Sequence, residues 1–236
     1  MAGGEGSRLR PFTDATPKPL MEFGGVPLLH LVLRQLRDAG FTQVTLALRH
    51  RADVIRRSCE GADRDGLDLR FVVERQRMGT AGALALDPAP STPTLVMNAD
   101  LLTSLDFAGL MHRHDLSGAD ATVVVTPRDF QIPHGVVEVD EHHRVARLTE
   151  KPRLRHLISC GIYVLDPVIL RHLPHGEPCD MPALLETARA AGRTVAAHVF
   201  EGEWRDIGTP RQLEEARTAF GADATLLPLQ MQTVDS

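Results

Sequence analysis

The chain has 236 residues, 43% apolar and 4% aromatic, with a formal net charge of -5. A chain of this length buries a sizeable core, and with so few aromatics the filling falls to aliphatic side chains, which suits one large α/β domain. The acidic balance argues against a general nucleic-acid binder, and without an apolar run of about 20 residues or a charged start leading into one, neither a membrane span nor a secretory signal is expected. Cys59, Cys160 and Cys179 are odd in number and far apart, so they read as reduced structural thiols in a cytoplasmic setting.

The first stretch, MAGGEGSRLRPFTDATPKPL, places Gly3, Gly4 and Gly6 beside Arg8 and Arg10. Glycines let backbone N–H groups approach phosphate closely, and the arginines bring charge that suits a triphosphate. Glycines alone would fit a tight turn equally well. Lys18 between Pro17 and Pro19 adds a single ammonium on a restricted backbone, and the three features together favour a phosphate site.

Leu29, Val32, Leu33 and Leu36 then recur at helical spacing up to Gly40, a helix stop. VTLAL (44–48) and LRFVVE (69–74) read as strands around a short helix at 53–59, and TLVMNAD reads as a strand ending at Asp100. Residues 106–116 read as a helix. Closely spaced strands follow in ATVVVT, GVVEV and RVARLTE, with DEHH as a hairpin turn, then a strand in ISCGIYVL. A helix opens near Asp180 with Pro182 in its first turn, and TVAAHVF reads as the last strand. Strand and helix alternate in the first half, which predicts a layered fold with helices on both faces of a sheet; the second half is mixed. HRHD (112–115) is expected on a surface helix and DEHH in a turn, and neither has the spacing of a metal site.

Several segments, in order, resemble the sugar-1-phosphate nucleotidylyltransferases: AGGEGSRLRPFTDATPKPL, GGVPLL, GTAGAL (79–84), MNAD ending at Asp100, EKP (150–152), CGIYVLDP (160–167) and WRDIGTP (204–210). The resemblance covers nearly the whole chain. It implies a three-layer α/β/α Rossmann-like fold with a mixed, mostly parallel central sheet, a catalytic domain over 1–221 and a tail over 222–236. It also implies a reaction in which a sugar-phosphate oxygen attacks the α-phosphorus of a nucleoside triphosphate and releases pyrophosphate, driven by positioning and electrostatics.

On that resemblance, Arg8 meets the triphosphate, Lys18 meets charge developing near the α-phosphate, and Asp100 and Asp206 hold Mg2+ as catalytic and metal-binding residues. Ala2, Gly3, Gly4, Gly6 and Ser7 form the nucleotide loop, while Gly79, Thr80, Ala81 and Gly82 lie against the base. Glu150 accepts from sugar hydroxyls, Lys151 contacts the sugar phosphate, and Gly161 lies beside the sugar. Read singly, either aspartate would pass for a turn residue and the Glu-Lys pair for a surface ion pair. Ser159 and Cys160 replace the family's usual Asn and small residue, Ala99 replaces its glycine, and His134 stands where Tyr is common, a position that lines the sugar pocket on that resemblance.

The partners implied are a nucleoside triphosphate and a sugar 1-phosphate, with no nucleic acid and no membrane; the oligomeric state is open, a homo-oligomer being one option. GTP with a mannose- or heptose-like sugar leads, and UTP with an amino-sugar 1-phosphate such as N-acetylmuramic acid 1-phosphate follows. A non-catalytic sensor of nucleotide or sugar phosphate is a third reading. A dinucleotide-dependent dehydrogenase fits poorly, because the loop runs into Arg-Leu-Arg-Pro. The length past Phe220 leaves no room for the β-helix domain of bifunctional relatives, so one activity is expected. Family members carry an apolar first strand ahead of AGG. Here Met1 stands directly against the loop, so a gap in the sheet is expected.

Overall fold

The computed structural model describes residues 1–60, 66–87 and 90–222. Short helical turns at Ser7–Leu9 and Lys18–Leu20 flank α1 (Phe12–Ala15), and β1 (Glu22–Phe23) pairs with β2 (Val26–Pro27). In α2 (Leu28–Asp38) the residues at helical spacing, Leu29, Val32, Leu33 and Leu36, are all buried, and Gly40 beyond it takes a φ of 88°. Then come β3 (Gln43–Leu48), α3 (Ala52–Glu60), β4 (Asp68–Val73), α4 (Gly79–Gly82) and β5 (Thr94–Met97). The second half holds β6 (Leu101–Thr103), α5 (Phe107–Ser117), β7 (Ala121–Gln131), β8 (Val136–Val139), β9 (Val145–Thr149) and β10 (Arg153–Leu165). It closes with α6 (Pro167–Leu170), α7 (Met181–Ala190), β11 (Val195–Val199), β12 (Trp204–Asp206) and α8 (Pro210–Ala222). Of the expected tail at 222–236, residues 223–236 lie outside the described residues.

The main sheet has the order β11, β7, β10, β5. β11 is parallel to β7, and β10 is antiparallel to both β7 and β5, so three strands point one way and one is reversed. Alternation along the strands sends Met97, Val124, Ile162 and Val164 to one face, covered by Val32 and Leu36 of α2 and Leu110 of α5. Val96, Ala121 and Leu165 take the other, under Ile169 of α6 and Leu184 and Ala188 of α7. A sheet buried on both faces is the three-layer mixed α/β arrangement expected.

Three details differ from expectation. The strand through TLVMNAD stops at Met97, because Asn98 N turns to Gly161 O and Ala99 N to Met1 O, so Asp100 lies in the turn before β6. β11 is not the last strand: β12 follows and pairs antiparallel with β6, and three residues are too few to show an alternation. His114 is not on a surface face. It is 3% exposed, and its ring lies 2.8 Å from Thr122 Oγ1 and 3.1 Å from Asp166 Oδ1, tying α5 to the sheet. The DEHH turn holds as expected, with Asp140 Oδ1 accepting from His142 N and Arg144 N.

β3 and β4 form a separate parallel pair. Among the described residues, Met1 and Ala2 join that pair to the main sheet. Ala2 N donates to Ala47 O at 2.8 Å, Met1 N to Met97 O at 2.8 Å and Ala99 N to Met1 O at 3.0 Å. Next to Met1 the edges of β3 and β5 part around a cavity of about 480 Å3, lined by Val44, Leu46, Leu95, Leu33 and Leu36 among others. Thr42, Gln43, Arg70 and Asp87 line it as well, so its wall is part apolar and part polar.

Candidate active site

Pro17 and Pro19 hold Lys18 in a tight turn in which Leu20 N donates to Pro17 O at 2.8 Å and Met21 N to Lys18 O at 3.2 Å. The side chain, 12% exposed, is aimed inward: Lys18 Nζ bonds Asp100 Oδ2 and lies 3.8 Å from Asp206 Oδ1. The two aspartates meet because β12 pairs with β6 in the register that sets Asp206 opposite Leu101. Burial pushes the Asp206 carboxyl above its usual range, the Asp100 charge adds to that, and Lys18 and Arg8 pull the other way. Arg8 lies against the turn at Gly208, Thr209 and Pro210, where a Cβ at Gly208 would stand 3.6 Å from its Nη2.

Asp100 Oδ1 is buried and has no hydrogen-bond partner among the described residues. Two carboxylates sharing one ammonium, with one oxygen orphaned, form a donor set that a hard divalent cation completes, and Mg2+ fits. No group of three His, Cys, Asp or Glu gathers as a metal cage among the described residues, so the other ligands would be phosphate oxygens and water.

Two glycine loops are tightly packed, the first beside the cluster, where a Cβ at Gly6 would stand 3.5 Å from Lys18 Cβ, and the second against Cys179 and Asp180. In the first, Gly6 has a φ of 62°, and a Cβ there would meet Thr13 Cγ2 at 2.7 Å, so only glycine fits. In the second, Gly79 has a φ of 78° with Cys179 O 2.5 Å from the position of a Cβ. Ala81 N and Gly82 N both donate to Cys179 O, at 2.9 and 3.0 Å. Asp180 was expected at the start of α7, yet its side chain does not cap that helix: Asp180 Oδ1 accepts from Thr80 N at 2.9 Å, while Met181 N donates to Thr80 Oγ1 at 2.8 Å. Asp180 therefore braces the second loop, a role that an acid before a helix does not announce. Glu74, also unpredicted, accepts from Met78 N through Oε2 at 3.2 Å.

Gly161 sits at a bulge in β10 with a φ of 70°, its backbone oxygen accepting from Asn98 N at 3.1 Å. Ser159, which replaces the family's amide, is 2.9 Å from Tyr163 OH through its hydroxyl and accepts from Gly161 N at 3.2 Å. Trp204 of β12 donates from Nε1 to Cys160 O at 2.9 Å, so the turns that carry Gly161, Asp100 and Asp206 are joined. Burial pushes the Cys160 thiol up to about 11, and all three cysteines are buried. Arg8, Lys18, Asp100 and Asp206 thus come together, with Gly161 adjacent. Glu150 and Lys151 do not join them: both are exposed and pair with each other at 3.7 Å, and no hydrogen bond or ion pair among the described residues links them to Lys18.

The nucleotidyl transferase family model matches residues 1–222. The chain is 36% identical over 218 residues to the mannose-1-phosphate guanylyltransferase catalytic subunit beta of Drosophila pseudoobscura pseudoobscura, covering 89% of this chain and 58% of that protein. It is 34% identical over 222 residues to the mannose-1-phosphate guanyltransferase of Emericella nidulans, covering 89% and 60%. Among solved structures it is similar to HddC from Yersinia pseudotuberculosis complexed with GMP-PN, with a TM-score of 0.69, 25% identity and coverage of 93% of this chain and 96% of that one. The chain belongs to the nucleotidyl transferase family. It spans about three fifths of the length of the curated relatives it matches.

Proposed function

We propose that the chain is a sugar-1-phosphate guanylyltransferase acting on a mannose- or heptose-like sugar. A phosphate oxygen of the sugar 1-phosphate attacks the α-phosphorus of GTP, the bond from that phosphorus to the bridging oxygen breaks, and its electron pair leaves with pyrophosphate; no protein nucleophile is required. The observation that carries this reading is the cluster of Lys18, Asp100 and Asp206, with its orphaned carboxylate oxygen. Lys18 stabilises charge growing at the α-phosphate, and Arg8 takes the outer phosphates. Asp100 and Asp206 would hold Mg2+, which when bound screens the repulsion between two anionic substrates.

Ala2, Gly3, Gly4, Gly6 and Ser7 cradle the triphosphate, and Gly79, Thr80 and Ala81 form the floor for the base. Gly161 leaves room for the sugar, Glu150 accepts from its hydroxyls and Lys151 meets its phosphate. One catalytic domain over 1–221 carries all of these groups, and three buried, widely spaced cysteines suit a reducing, cytoplasmic setting. The relatives named as mannose-1-phosphate guanylyltransferases and the neighbour bound to GMP-PN support guanine over uracil. Incubation with GTP, Mg2+ and a panel of sugar 1-phosphates is expected to form a GDP-sugar, read by ion-exchange chromatography. Product from UTP alone would move the assignment to a uridylyltransferase, and bound nucleotide without product from any sugar would favour a sensor.

A further inference from the structure

Val124, Thr126 and Arg128 alternate onto one face of β7, and the first two are buried. Arg128 carries that face outward past the core, where it is exposed, and its guanidinium carbon lies 5.8 Å from the centre of the Trp204 ring. Among the described residues no carboxylate lies within ion-pair distance of it. An exposed arginine is ordinarily only solvated. This one differs in its surroundings. Trp204 and Asp206 are two residues apart on β12, so their side chains share a face, about 7 Å apart along the strand. Trp204 Nε1 also donates to Cys160 O at 2.9 Å, next to Gly161. Burial raises the Cys160 thiol and the Arg128 charge pulls it back, so that charge is felt at the bulge. A cation without a carboxylate partner thus stands on a ring that shares a strand face with Asp206 and is tied to the turn of Gly161.

We propose that Arg128 reads the far end of the sugar, and that the preferred substrate is a mannose- or heptose-like 1-phosphate carrying a second oxyanion, a carboxylate or a phosphate. The inference rests on the transfer reading for placing the reacting phosphate beside Lys18, Asp100 and Asp206, and goes beyond it by naming a charge on the sugar. With the 1-phosphate there, a sugar ring laid along Trp204 points its opposite end at the guanidinium. A guanidinium is donor only and keeps its charge, so it favours an anion over a neutral hydroxyl. Its planar fork matches the paired oxygens of either group, and stacking on Trp204 fixes the plane of that fork while leaving its edge N–H groups for a ligand.

Trp204 is the chain's one tryptophan, so its emission reports a ligand that meets the guanidinium above it. The test is fluorescence titration of wild type, Arg128→Gln and Arg128→Lys with mannose 1-phosphate, mannose 1,6-bisphosphate and mannuronic acid 1-phosphate. Mg2+ and GMPCPP, a GTP analogue whose α–β bridge is a methylene, are present throughout. Wild type is expected to bind at least one doubly anionic sugar about 10-fold or more tighter than mannose 1-phosphate, the gain of one charge-assisted contact. The tighter of the two names the group, phosphate or carboxylate. Arg128→Gln should lose that preference with little change for mannose 1-phosphate, and Arg128→Lys should recover part of it. Equal wild-type affinity for all three sugars would overturn the proposal. So would an equal loss for all three in Arg128→Gln, which would make Arg128 a brace for Trp204. Transfer is read apart, as pyrophosphate release with GTP in place of GMPCPP. The doubly anionic preference without release would uphold Arg128 and sink the transfer reading, and release without the preference would do the reverse. Failure to bind any of the three sugars would overturn both the proposal and the mannose-like assignment.

Discussion

Lys18 stands between two carboxylates that arrive from distant parts of the chain, and its ammonium neutralises only part of their charge. Substrate phosphates and a divalent cation would compete for the same contacts, so the Lys18–Asp100 bond has to loosen for the reaction to proceed. Lys18→Met is expected to lower the rate of pyrophosphate release by about 100- to 1000-fold, the order seen when one preorganised donor to a charged transition state is removed. The same variant should bind Mn2+ more tightly than wild type in the absence of nucleotide, read by water-proton relaxation, because the cation no longer contends with the ammonium. Weaker Mn2+ binding would show that Lys18 organises the aspartates rather than occupying their site. In the sequence Lys18 stood out by its flanking prolines, and Asp100 by the family resemblance rather than by its own surroundings. Glu74 and Asp180 did not, since an acid after a strand or before a helix is ordinary and its partner lies in another loop.

At the scale of elements, the site depends on the irregular ends of strands. The bulge at Gly161 turns β10 toward Asn98, and Trp204 on a three-residue strand fixes the neighbouring carbonyl. Gly161→Ala forces a φ of 70° on a side chain whose Cβ would lie 2.7 Å from Asn98 Nδ2. A cost of roughly 1–3 kcal/mol is expected in urea denaturation, with a higher KM for the sugar 1-phosphate than for GTP. An unchanged midpoint and KM would show that the turn is not strained and does not meet the sugar. The long helices and buried strands were readable from periodicity, which needs several repeats to register. β12 has too few residues to show one, and His114 looked like a surface residue because its burial comes from Thr122 and Asp166, which are remote in sequence.

For the whole molecule, the junction between the β3–β4 pair and the main sheet is held by Met1 and Ala2 beside a cavity of mixed polar and apolar lining. The layered fold was legible because strand and helix alternate along the first half of the chain, while the meeting of Asp100 and Asp206 depends on a pairing that only the folded chain brings about. The measurement that bears most directly on the account is pyrophosphate release from GTP and mannose 1-phosphate by the wild-type chain and Asp206→Asn, with Mg2+ and with EDTA. Release by wild type only with Mg2+, and a fall of about 100-fold or more in Asp206→Asn, is the predicted result. Equal rates in EDTA, or a variant as fast as wild type, would contradict it.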